Sequence, residues 1–317
     1  MVSDASPEGG ARARQAARGV HSLAPRWTWE AGETAVRGAL FLAAAFAVLV
    51  TVAIFLALVV DTVPFFTQVS PVDFYAGTVW SPDIRGIFGV LPLVAGTLII
   101  AGTACLIGIP LGLASAVFLR EYAPGRVREV LKPVLEILAG IPTIVYGLFA
   151  LIAIAPVLQT WFGASFFNGA NAILVVGIMI IPMVSSLSED ALTAVPVDLR
   201  DGALALGATR FEATRRVVLP AALSGVVASF VLAFSRAVGE TMIVLIVAGQ
   251  NTDLTFNVFG QMTTMAGWIA KRATGDVAVG ETVYLAMFAV GFTLFLITLF
   301  LNLVSDYLRT RFREEYD

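Results

Sequence analysis

The chain has 317 residues, of which 58% are hydrophobic and only 14% charged, and its mean hydropathy is +0.87. Soluble domains are about one quarter charged, so this composition excludes an ordinary soluble protein and makes the bilayer the solvent for most of the chain. The net charge of −3 says little by itself. The single Cys105 excludes an internal disulfide, and the single His21 leaves no basis for a His/Cys metal site.

Residues 1–37 are polar and rich in Ala, Gly and Arg, with Arg12, Arg14, Arg18, Arg26 and Arg37. They lack the short apolar core and small-residue cleavage site of a signal peptide, and a disordered cytoplasmic tail is expected. Gly38–Val60 carries no charge over 23 residues, enough to cross a ~30 Å hydrocarbon core. Asp61–Arg85 reads as a loop whose aromatics, Phe65, Phe66, Phe74, Tyr75 and Trp80, suit interfacial anchoring.

Gly86–Leu119 is a glycine-rich span, and small residues let membrane helices approach closely. Arg120–Lys132 reads as a short charged loop. Ile137–Phe167, broken at Gly140-Ile141-Pro142 and at Pro156, fits one helix plus a re-entrant portion. Ala172–Ser188 is a shorter span, Glu189–Leu219 a long polar loop, Pro220–Ala248 a fifth span, Gln250–Gly280 a polar loop and Thr282–Val304 the last span. Glu136 and Glu189 fall at span ends, where solvation is ordinary. Ser185, Ser186 and Ser188 either line a polar path or bond back to helix carbonyls.

Six spans put both termini on one side. The tail, the 120–132 loop, the 189–219 loop and the C-terminus hold 16 of the 20 basic residues. The positive-inside rule therefore expects both termini in the cytoplasm of a cell-membrane protein. No strong internal repeat is visible, which disfavours an inverted-repeat secondary transporter. Neither Lys132 nor Lys271 follows a glycine, so there is no P-loop, and any ATP hydrolysis falls to another chain.

Within the long loop, Asp201-Gly202-Ala203 is followed after three residues by Gly207 and after nine more by Val217-Val218-Leu219-Pro220. This resembles the EAA loop (EAA-x3-G-x9-I-x-L-P) of binding-protein-dependent ABC importer permeases. Asp201, Gly202 and Val217 depart from the pattern, whereas the spacing, Gly207 and Leu219-Pro220 agree. Leu199, Ala203, Leu206 and Phe211 can form an apolar edge on a short helix. Gly207 permits a tight helix end, and Pro220 suits the first turn of the next helix. The loop chemistry alone also fits an amphipathic segment lying on lipid headgroups.

Two further stretches, Ala139-Gly-Ile-Pro-Thr-Ile-Val-Tyr-Gly147 and Ser235-Arg-Ala-Val-Gly-Glu-Thr-Met242, look like the signatures of phosphate ABC transporter permeases. The ETM form and long first span resemble the PstC-type subunit rather than its PstA-type partner. The resemblance implies an all-α, polytopic protein with six transmembrane helices and the type I ABC importer permease (MetI-like) fold. A transmembrane domain is then expected over 38–317, with a permease core at about 90–305 and a coupling loop at 190–220.

By the same resemblance the chain is a transporter subunit and no enzyme. Asp201, Gly202, Ala203, Gly207, Leu219 and Pro220 would dock on an ATPase. The partners implied are a PstA-type permease, two ATPase subunits that hold the ATP and Mg2+, and an extracytoplasmic phosphate-binding protein. This chain itself is expected to hold no cofactor, to sit in membrane lipid, and to bind no nucleic acid.

Arg236 and Glu240 lie 16 and 20 residues after Pro220, ~24–30 Å along a straight helix. Burying a charge in a span costs at least ~2.5–3.5 kcal/mol on insertion scales, which makes function the default reading. Spaced i,i+4, they would share a face. Arg236 offers a planar fork of donors to a tetrahedral oxyanion. Glu240 would hold Arg236 when cargo is absent and accept a hydrogen bond from the P–OH of monohydrogen phosphate. An ion pair that only locks packing is the bland alternative. Ser235, Thr241, Thr143 and Tyr146 complete the expected substrate pathway. Three other functions stay open at this point: a permease for molybdate or sulfate, an anion carrier driven by an ion or proton gradient, and a non-transporting membrane scaffold whose loop is only a docking module.

Overall fold

A computed structural model describes residues 26–275 and 277–311. His21 and most of the expected tail lie outside the described residues, as does Arg313. The chain divides at Ala57–Leu58 into two compact units.

The first helix, α1, is Arg26–Gln68. Its part up to Ala57 belongs to the first unit, and there residues 32–57 are all exposed. A helix that is apolar all round and uncovered is what lipid accepts. The expected tail is corrected over residues 26–37, which are helical. Ala35, Glu33 and Arg37 are good helix formers, and Glu33 pairs with Arg37 one turn on at 3.7 Å.

The second unit opens with the end of α1. Then come α2 (Pro71–Ala76), β1 (Trp80–Ser81), α3 (Pro82–Arg85) and β2 (Ile87–Phe88), with β1 and β2 antiparallel and Trp80 opposite Phe88. The long helices follow. The helix α4 (Leu91–Val117) ends in a π-helical turn at Phe118–Tyr122, and α5 is Gly125–Gly140. Next come α6 (Thr143–Phe149), a second π-helical turn (Ala150–Ile154), α7 (Ala155–Phe162) and α8 (Gly169–Thr193). The long loop holds α9 (Val197–Ala205), α10 (Arg210–Ala213), a π-helical turn (Thr214–Val218) and α11 (Leu219–Ala221). The chain closes with α12 (Leu223–Val238), α13 (Met242–Val247), α14 (Met265–Ala273) and α15 (Thr282–Arg311).

Among the described residues five helices are long and apolar enough to cross a membrane, and the count reaches six when Leu223–Val238 is taken as one span with the segment Arg210–Ala221, from which it is bent by 73°. The architecture is therefore all-α and polytopic, as expected.

At its centre α4 and α8 run side by side. Gly108 and Gly112 are one turn apart on α4. A Cβ on Gly108 would sit 2.5 Å from the Gly177 carbonyl oxygen, and one on Gly112 would sit 2.6 Å from Val184 Cβ. The absent side chains let the two backbones close up. Ile100, Ala104, Val176, Ile180, Ala233, Ala237 and Val244 fill the surrounding core.

Three loop expectations are corrected. Phe65, Phe74 and Trp80 are not interfacial anchors: they are buried in one cluster with Phe88, Trp268 and Leu285. The Gln250–Gly280 loop contains α14, which the Trp80–Trp268 contact (4.9 Å, T-shaped) and an Arg272–Asp83 ion pair hold in place. Residues 125–140, from within the expected 120–132 loop to the start of the expected Ile137–Phe167 span, make a single amphipathic helix, α5, which buries none of its residues. In the first two cases a packing partner distant in sequence overrode the local polarity.

Candidate functional site

The loop after α8 begins with α9. Gly207 stops it in the left-handed region, φ +89°, where only glycine sits without strain. Thr209 then opens α10 with a capping box: its hydroxyl accepts from the Glu212 N–H (3.3 Å), and Glu212 accepts from the Thr209 N–H (3.0 Å). The Thr209 N–H, and the Thr209 hydroxyl that also donates to Glu212 Oε2 at 2.9 Å, hold the Glu212 carboxyl below the usual carboxylate range.

The expected apolar edge is divided. Leu199 packs inward beside Leu192, Val218 and Val226. Leu206 is 92% and Phe211 62% exposed, alongside exposed Asp201 and Gly202. Pro220 does not open the long helix as expected. It closes the segment that the π-helical turn leads into, and the chain then bends by 73° before α12. A residue without an N–H suits that break in the ladder. Arg200 on α9 reaches Glu121 in the π-helical turn after α4, at 3.2 Å, and Glu121 is buried.

A cavity of about 490 Å3 lies beside this loop end, between α5, α8 and α12. Lys132, Leu135, Glu136 and Ala139 line it from α5, residues between Met179 and Glu189 from α8, and Leu232 and Arg236 from α12. Met179 and Glu189 are ten positions apart, so the cavity follows ~15 Å of α8.

Arg236 is an exposed cation on this wall and has no ion-pair partner among the described residues. It lies 13 residues into α12, ~20 Å from the bend. The straight count from Pro220 is thus replaced by a shorter path, and Arg236 shares its cavity with Lys132 and Glu189 from the loop end.

The expected Arg236–Glu240 pair is not formed. Helix α12 ends at Val238, so Glu240 is not one turn beyond Arg236 on a common face. Its buried carboxylate accepts from the Ile243 N–H at 3.1 Å and caps the next helix. The other expected pathway residues also lie apart from the cavity lining. Ser235 donates to Asn302 Oδ1 (3.3 Å), Thr241 to the Gly239 carbonyl (3.0 Å) and Tyr146 to the Leu138 carbonyl (2.8 Å), while Thr143 starts α6.

Glu189 was expected to be solvated and is 2% exposed. Arg128 binds its Oε1 and Lys132 its Oε2, the latter at 3.3 Å. The i,i+4 spacing of Arg128 and Lys132 was readable in the sequence; their shared carboxylate was not. Ser185 and Ser186 both line the cavity; Ser185 also donates to Ser115 (3.1 Å) and Ser188 meets Ser229 (2.9 Å), so two of the three serines tie helices together.

Residues 108–314 match the family model described as binding-protein-dependent transport system inner membrane component. The chain belongs to that family. It is 34% identical over 259 residues to the phosphate transport system permease protein PstC of Mesorhizobium japonicum, covering 75% of this chain and 78% of that relative.

Two solved structures share the fold. One is a bacterial ABC transporter involved in the import of the polysaccharide alginate (TM-score 0.61, 14% identity, 90% of this chain and 100% of that chain). The other is the MetNI methionine ABC transporter in inward-facing conformations (TM-score 0.56, 19% identity, 71% and 98%). The chain is accordingly a multi-pass inner-membrane permease subunit and not an enzyme, and it works with an ATPase and a substrate-binding protein.

Proposed function

We propose that this permease carries inorganic phosphate, as the PstC-type half of an ATP-driven importer. Its pair would be a PstA-type permease, with two ATPase subunits holding ATP and Mg2+ and an external phosphate-binding protein delivering the anion. No cofactor is assigned to this chain. The charge asymmetry of the loops supports cytoplasmic termini. The transmembrane domain is taken as 38–317, with the coupling loop at 190–220 meeting the ATPase through its exposed residues.

The observation that carries the reading is Arg236. It is a guanidinium on a cavity wall in the membrane domain, with no carboxylate paired to it among the described residues. A charge so placed is costly without an occupant, and its planar fork matches two oxygens of a tetrahedral anion. Glu240 takes the role of a cap that fixes the break beyond α12, so Arg236 points to cargo without a competitor on its own segment.

The test is Arg236→Gln in the complete assembly reconstituted in liposomes. Phosphate uptake driven by ATP should fall roughly ten- to a hundredfold, the worth of a lost charge-assisted hydrogen bond of ~1.5–3 kcal/mol. Sulfate and molybdate should compete poorly in the wild-type assembly. Unchanged uptake in the variant sinks the site, and uptake without the ATPase subunits sinks the ATP-driven reading.

A further inference from the structure

The cavity has a second cation, Lys132, and its surroundings differ from those of Arg236. Lys132 and Arg128 both serve Glu189, one on each carboxylate oxygen. A single buried carboxylate is neutralised by one cation. The three-group cluster therefore carries a surplus positive charge, and Lys132 is the member that lines the cavity together with Glu189. An ammonium has three donors; Glu189 Oε2 takes one, which leaves two for another acceptor.

The helix that carries Lys132 is also unusual. Helix α5 forms one cavity wall yet buries none of its residues, so its attachment to α8 relies on this ion pairing. The remaining cavity carboxylate, Glu136, is one turn from Lys132 and forms no ion pair with it among the described residues.

We propose that Lys132 is a second anion contact of the translocation path: the phosphate leaving Arg236 takes Lys132 from Glu189. Glu189 keeps Arg128 and so never stands in the cavity as an unpaired carboxylate. The exchange weakens the hold of α8 on α5 while an anion is present. Lys132 thus joins cargo position to the freedom of a cavity wall. The inference rests on the reading that this cavity carries the anion.

The experiment uses the complete assembly in liposomes and follows ATP-driven uptake of radiolabelled inorganic phosphate. Lys132→Gln should slow uptake about tenfold, the lower end of what a lost charged hydrogen bond is worth. The deciding variant is Lys132→Gln combined with Glu189→Gln. If Lys132 only neutralises Glu189, removing both charges restores uptake to the wild-type rate, and the proposal is overturned. If Lys132 serves the anion, the double variant stays as slow as the single one.

A second form avoids dependence on folding of the Gln variants. Lys132→Cys in a Cys105→Ala background is assembled first and then alkylated. Bromoethylamine, which restores an ammonium, should recover uptake, and neutral iodoacetamide should not. Recovery with both reagents, or with neither, counts against the proposal. Arg236→Gln separates the two levels: retained uptake there removes the cavity reading itself. Full recovery in the double variant, with Arg236→Gln inactive, removes only the role of Lys132.

Discussion

The two ends of the membrane unit are built on different principles. At the end where α4 and α15 begin, Phe65, Phe74, Trp80, Phe88 and Trp268 are packed ring against ring, with centroid distances of 4.9–6.2 Å. At the other end α9 buries no residue: Leu199 packs only partly against the Leu192–Val218–Val226 cluster, and Arg200 pairs with Glu121. Leu206 and Phe211 stay bare there. Apolar packing is stiff because every neighbour must move at once. Ion pairs between half-exposed groups can exchange partners singly. One end is therefore suited to staying shut around the fold, and the other to being moved by a partner that covers α9.

Substitutions at the two ends should separate on that basis. Phe74→Ala empties the centre of the aromatic cluster and should cost ~3–5 kcal/mol, by analogy with large-to-small core changes. Thermal unfolding of the purified chain measures this, and a Tm within a degree of wild type would show that the cluster does not bear on stability.

Arg200→Ala acts at the other end. It leaves the buried Glu121 carboxylate without its cation, at a cost of roughly 1–3 kcal/mol. Its larger signature should be functional: ATP hydrolysis continues in the assembly while phosphate uptake per ATP falls, because α9 loses its tie to α4. Equal losses in hydrolysis and uptake would instead place Arg200 in simple assembly.

The smallest effect is expected at Glu212. Its carboxyl titrates below the usual range, so the charged form is the one the fold stabilises. That contribution is fully present above the ordinary carboxylate pKa and is lost as pH falls through the lowered value. Amide exchange at Thr209 and Glu212 should therefore be slower in wild type than in Glu212→Gln at neutral pH. The difference should close in acid. A difference that persists unchanged at low pH would refute the capping assignment.

Much of this was legible in the chain itself. Long uncharged runs can only be spans, since no alternative satisfies their backbone in lipid. The spacing from Asp201 through Gly207 to Leu219-Pro220 marked the loop, and Gly207 does end a helix there in the left-handed region. Arg236 stood out because a charge in an apolar run has few harmless explanations.

The misread residues share one cause. Glu240 was paired with Arg236 by helical spacing, but the helix stops between them. Glu189 looked solvated because its partners, Arg128 and Lys132, are about sixty residues earlier in the chain. The aromatics before α4 looked interfacial because Trp268 and Leu285, which bury them, come far later.

Sequence alone thus determined the membrane class, the number of spans and the positions of the loop and the intramembrane cation, because these follow from composition and local spacing. Tertiary structure alone decided which charges face each other, where α12 breaks, and that Arg236 and Lys132 share one cavity. Those depend on long-range contacts, and a charge takes its role from the groups it meets in space rather than from its neighbours in the chain.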